Sequence, residues 1–217
     1  MTARGTTRRE LLGGGVAAAT AATATATAAA VAGATAGGVA ASLLEAQSAS
    51  AAASVDDVTV LVSLLRVEQV LVIAYERTLA NPGILPPAAQ QLLSSFLGHE
   101  RAHVHALSVN VAELGGTAPT PPKSPAAFAS ELRQLRVRHS AAGLRTERQH
   151  VRFLIDLETV MARHYRYAIA RLSGARELAI AAEIMANEAQ HETVLRELLA
   201  PGNVKRAVPS AFVAGIA

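Results

Sequence analysis

The sequence predicts an all-α fold: a four-helix bundle of two antiparallel hairpins joined by a long crossover. Two observations carry this. A residue pattern occurs twice, as Glu68, Tyr75, Glu100 and His103 in the first half and as Glu158, Tyr165, Glu188 and His191 in the second. Proline and glycine punctuation also divides the chain into helical segments whose connections run short, long, short.

The first helix runs from about Asp56 to Ala80. It is strongly apolar, opens with Asp56 and Asp57 where acidic groups favour the helix dipole, and stops at Asn81-Pro82-Gly83. Pro86 and Pro87 open the second helix, which closes at Gly115 and Gly116 as C-terminal caps. A proline-rich connector, TAPTPPKSP, leads to Ser124-Pro125, an N-cap followed by a first-turn proline. From there the crossover contains a short helix to about Val137 and a break near Ser140 to Gly143. A long third helix then reaches Ser173. Gly174 is the stop before the fourth helix, which ends at Pro201-Gly202, so the second hairpin has a tight turn.

The spacing within each copy has a physical reason. Helix positions three apart differ by only about 60° around the axis and about 4.5 Å along it, so Glu100 and His103 reach one metal, and Glu188 and His191 do likewise. A step of seven residues is two turns with about 20° of drift. Tyr75 therefore shares the Glu68 stripe and Tyr165 the Glu158 stripe. A buried phenol needs an acceptor, and a metal-bound carboxylate of the facing hairpin supplies one. Four buried carboxylates would repel one another and lose hydration worth several kcal/mol each, and two divalent ions cancel that charge. The donors suit two iron or manganese ions per chain and do not separate them. Cysteine is absent, which removes the soft ligands of structural zinc and iron-sulfur clusters.

The motifs VEQVLVIAYE, GHERAHVHAL, DLETVMARHY and NEAQHETVL make the chain resemble the ferritin-like superfamily, close to bacterial ferritin-like domain proteins, over roughly residues 56–200. The resemblance implies that Glu68 and Glu158 are terminal ligands, that Glu100 and Glu188 bridge the metals, and that His103 and His191 each cap one. It also implies oxygen or peroxide as the reaction partner, in iron oxidation and handling or in peroxide detoxification. An oxidoreductase of the ferroxidase type is one outcome. A non-enzymatic structural or binding bundle is the alternative. An export signal is foreign to cage-forming ferritins, so storage in a shell is not implied.

His99 to His103 also spells the His-Glu-x-x-His of zinc proteases. The second copy has Asn187 where His99 stands, and Ala106 and Val109 break the extended protease signature, which leaves this a remote third reading. His99 itself stays undecided. His105, His139, His150 and His164 are expected at the surface, and Glu76 and Glu183 at the surface or rim.

Residues 1–50 read differently. Thr7-Arg8-Arg9-Glu10-Leu11-Leu12 resembles a twin-arginine export signature, followed by an Ala/Gly/Thr tract and small-residue cleavage points such as Ala49-Ser50-Ala51. The expected destination is the periplasm, the cell envelope or the exterior, with membrane contact only through an uncleaved signal. Of the 217 residues, about 160 then remain, enough for one domain. Residues 201–217 form a tail that docks on the bundle or mediates self-association into a homo-oligomer. The formal net charge is +3. A basic run, Arg133, Arg136, Arg138, Arg145, Arg148 and Arg152, lacks the interleaved aromatics of nucleic-acid binders, so a solvated helix face is expected instead.

Overall fold

Local chemistry sets where each helix begins and ends. The computed structural model describes residues 55–81 and 83–209, so the export-type segment 1–50 and tail residues 210–217 lie outside the described residues. Helix α1 (Val55–Leu79) ends just before Asn81. Helix α2 (Pro87–Glu113) starts at a proline whose fixed φ suits the first turn. It ends in a Schellman turn: Gly115 takes φ 75°, and the Gly116 N–H bonds Val111 O at 2.8 Å.

Helix α3 (Pro125–Gln134) is capped by the Ser124 hydroxyl, which accepts from the Ala127 N–H. It stops three residues before the expected end. Arg136 sits at φ 55° and the Val137 N–H turns back to Leu132 O at 3.0 Å, the same Schellman geometry without the glycine that normally signals it. Helix α4 (Glu147–Ile169) opens with a full capping box between Thr146 and Gln149. Helix α5 (Ala175–Leu199) follows after a short turn, and a single turn, α6 (Val204–Ala207), packs back on α5 within the expected tail.

The chain is all-helical among the described residues. Helices α1 and α2 form one hairpin, α4 and α5 the other, and the hairpins meet through α1 against α4 and α2 against α5. Leu61, Leu65 and Leu71 of α1, Leu93 and Leu107 of α2, Leu154 and Leu157 of α4 and Leu195 of α5 are fully buried between them. Each such side chain removed from water contributes about 1.5–3 kcal/mol. The crossover is fastened along α1. Arg66 donates to both Glu131 oxygens at 2.9 and 2.6 Å, Gln69 donates to Pro119 O at 2.9 Å, and buried Phe128 packs under the Arg77 guanidinium.

Asp57–Leu79 is long and apolar enough to cross a membrane by length and composition, but 56% of that window is buried inside the bundle. It is the core helix that carries Glu68.

The α5 N-cap, Gly174, offers no side chain to the first orphan N–H groups. Asp57 reaches across from α1 instead. Its fully buried carboxylate accepts from Ser173 N at 3.0 Å, Ser173 Oγ at 2.9 Å and Gly174 N at 3.0 Å. One acidic group thus serves the start of two helices. Asp57→Ala leaves the buried Gly174 N–H without an acceptor and the Ser173 donors to solvent, and denaturant titration should show a loss of about 2 kcal/mol with helical content retained.

Candidate metal centre

Each hairpin delivers its residues to the middle of the bundle. Glu68 lies on α1, Glu100 and His103 on α2, Glu158 on α4, and Glu188 and His191 on α5. All four carboxylates are 0% exposed, and His191 is 1% exposed. The structure brings the six together. Ligand atoms of Glu68, Glu100, His103 and Glu188 lie within 4.8 Å of one another, as do those of Glu100, Glu158, Glu188 and His191. Opposite ligands about 2.1 Å from a small divalent ion stand about 4.2 Å apart, so either group can close around one ion. Glu100 and Glu188 belong to both groups.

The imidazoles point inward through Nδ1. His103 Nδ1 approaches Glu188 at 2.9 Å and Glu100 at 3.4 Å, and His191 Nδ1 approaches Glu100 at 2.9 Å and Glu158 at 3.6 Å. These are short separations without hydrogen-bond alignment. Both Nδ1 atoms, both oxygens of Glu100 and of Glu188, and one oxygen each of Glu68 and Glu158 are buried and make no hydrogen bond. Donor atoms that crowd together while aiming at a common point, rather than at one another, are what a cation requires.

The remaining oxygens are held crosswise. Tyr75 of the first hairpin donates to Glu158 Oε1 at 2.5 Å, and Tyr165 of the second donates to Glu68 Oε1 at 2.5 Å. Both phenols are fully buried. Each carboxylate thereby has one oxygen fixed by a hydroxyl and the other free to face the centre.

His99, undecided from sequence, touches the cluster from behind. Its Nδ1 lies 3.0 Å from His191 Nε2. One of these two nitrogens donates to the other, and if His191 Nδ1 served a cation, Nε2 would carry the proton and donate to His99. Phe96 stacks on the His191 ring at 4.1 Å between centroids and fixes its plane. The only trace in the sequence is that His99 precedes Glu100, where the second copy has Asn187. His99 is in neither four-residue group. The protease reading, which needs His99 and His103 on one ion, finds no such convergence among the described residues.

Other residues separate clearly. Glu76 is exposed and pairs with Arg101, and Glu183 is exposed. His105 and His139 are exposed. His150 departs from the surface expectation: it is 4% exposed, against Thr78 Oγ1 at 3.3 Å. His164 is half-buried, on Val160 O. Glu192 was given no role by its sequence position, yet it is buried and accepts from Thr159 Oγ1 at 2.7 Å and from Arg196.

This chain belongs to the ferritin-like domain family. The family match spans residues 56–201, all four long helices. Among solved structures, the chain is similar to a conserved hypothetical protein, rv2844, from Mycobacterium tuberculosis. The TM-score is 0.56 at 18% identity, over 67% of this chain and 92% of that one, a likeness of fold alone. Comparison with curated proteins finds no match.

Protonation shows how the cluster balances itself without cations. Burial pushes Glu68 up to about 8, with Glu100 adding and His103 opposing. Burial, then repulsion from Glu158 and Glu100, raises Glu188. For Glu100 burial acts upward, but His103 and His191 outweigh it and hold the carboxyl below its ordinary value. Burial disfavours both imidazolium ions, yet Glu100 and Glu68 lift His103 to about 10, and Glu100 and Glu158 lift His191 to about 9. Protons therefore supply part of the positive charge that the buried carboxylates call for.

All the raised groups act on stability with one sign. The folded chain keeps protons that the unfolded chain releases, on Glu68 from its ordinary 4.5 up to about 8 and on the histidines from 6.5 up to about 9 and 10. The histidine contribution is complete below pH 6.5 and is lost as pH rises through those values. Metal-stripped protein should thus melt lower at about pH 9.5 than at about pH 6, and saturating divalent metal, which takes deprotonated ligands, should flatten or reverse that slope in thermal scans.

Proposed function

We propose that the cluster holds two iron or manganese ions and that the protein is exported to oxidise and handle iron or to remove peroxide. One observation carries the reading: Glu100 and Glu188 are shared by two four-residue groups, the placement that two bridging carboxylates need. Charge agrees, since four carboxylates match two divalent ions. When bound, such a pair supplies one-electron steps toward oxygen or peroxide.

The chain's own residues do the rest. Tyr75 and Tyr165 orient Glu158 and Glu68, and the His99 contact holds the His191 tautomer. The His191 side chain is 1% exposed and the His103 side chain 11%, so solvent and small oxidants would approach on the His103 side. With their carboxylate neighbours lifting them to about 10 and about 9, His103 and His191 would have to release a proton before Nδ1 could serve a cation.

Purified protein should carry close to two transition-metal ions per chain, and Fe(II) added without air should be oxidised when air is admitted. Glu100→Ala or Glu188→Ala should drop metal content below about one per chain and abolish oxidation, with helical content by circular dichroism unchanged. Metal bound without turnover would favour a structural staple, and no metal at all would reject the centre.

Export rests on Arg8-Arg9 in its Thr-x-x-Glu-Leu-Leu setting and on the small-residue tract that follows. Replacing both arginines with lysine should retain the protein in the cytoplasm, as read by cell fractionation; secretion undiminished would exclude the twin-arginine route.

A further inference from the structure

One cleft outside the metal cluster gathers five cations from separate parts of the chain. Arg148 and Arg152 come from α4, Arg196 from α5, and Lys205 and Arg206 from α6. The cleft has a volume of about 460 Å³ and shares no residue with the carboxylate cluster. The fold creates it by turning the chain back at Gly202, at φ 75°, so that α6 meets the end of α5 beside α4.

The charge in this cleft is mostly uncompensated. Its one carboxylate, Asp156, is already occupied by His139, through the backbone N–H at 2.8 Å and Nδ1 at 2.6 Å. Arg196 is engaged by Glu192. Among the described residues, Arg148, Arg152, Lys205 and Arg206 have no ion-pair partner. Like charges converging on a concave surface raise its potential and concentrate anions. Arginine forks add geometric preference for phosphate oxygens.

Size and lining narrow the ligand further. The volume falls in the range of small-molecule sites, about 300–1,000 Å³, and exceeds what an inorganic phosphate fills. Ile155, Leu199 and Pro209 supply apolar wall. No Phe, Tyr or Trp side chain lines the cleft for stacking bases, and the one ring present, the His139 imidazole, is held by Asp156, which disfavours nucleic acid.

We propose that this cleft binds a small phosphate monoester, its phosphate among Arg148, Arg152 and Arg206 and its carbon portion against Ile155 and Leu199. The site is independent of the metal centre.

Calorimetric titration of the full chain at fixed ionic strength tests it, with phenyl phosphate, inorganic phosphate and benzoate as probes. Phenyl phosphate should bind one per chain and tighter than the other two. The exposed-site double variant Arg152→Glu, Arg206→Glu should weaken it by about tenfold or more, with melting temperature and metal content unchanged. Should that variant fail to fold, the single Arg152→Gln should still weaken binding severalfold. Equal binding of benzoate and phenyl phosphate, unaltered affinity in the variants, or binding of duplex DNA or anionic phosphatidylglycerol vesicles in place of phenyl phosphate would overturn the proposal.

Discussion

Four carboxylates with no solvent exposure, packed into the centre of a helical bundle, are the constraint around which this protein is built. Ionised and uncompensated, each would cost several kcal/mol, and the four together would rival the whole margin by which a domain of this size is stable. Everything near them supplies positive charge or a hydrogen-bond donor. Two imidazoles turn inward, two phenols close on one oxygen each, and the remaining donor atoms are left aimed at common points. The apolar side chains above and below, such as Leu65 and Leu157, keep water from doing the same work.

Helix ends matter as much as helix faces in placing these groups. Schellman turns at Gly115 and Arg136 set the lengths of α2 and α3, and the capping box at Thr146 sets the start of α4. Asp57 then ties the α4–α5 turn to the start of α1. A shift of one residue in any long helix would rotate its cluster residue by about 100° out of the centre. Firm ends therefore hold the cluster in register, and the cluster in turn demands firm ends.

Much of this was legible before any coordinates. One proline pair, Pro86-Pro87, and one glycine pair, Gly115-Gly116, mark the ends of α2, and a repeated Glu-x-x-His with a tyrosine seven residues after a glutamate singles out the eight residues found together. Those signals are local and periodic, so one strand of sequence contains them. What escaped was non-local or unsignalled. The left-handed turn at Arg136 has no glycine to announce it, and the reach of Asp57 to Ser173 spans the bundle. The burial of His150 and Glu192 depends on neighbours from other helices. Arg148 and Arg152 read as an ordinary solvated face because nothing in their own helix reveals that Lys205 and Arg206 fold back beside them.

The crossed tyrosines have a broader implication. Because each hairpin's hydroxyl grips a carboxylate of the other, neither half of the chain is a self-sufficient module, however alike the two look. Severed at the crossover, each would keep a phenol with nothing to grip and a glutamate with nothing gripping it. Whatever history produced the repetition, the halves are now interlocked, and an insertion that slides one of them is registered at once as a misplaced oxygen in its twin.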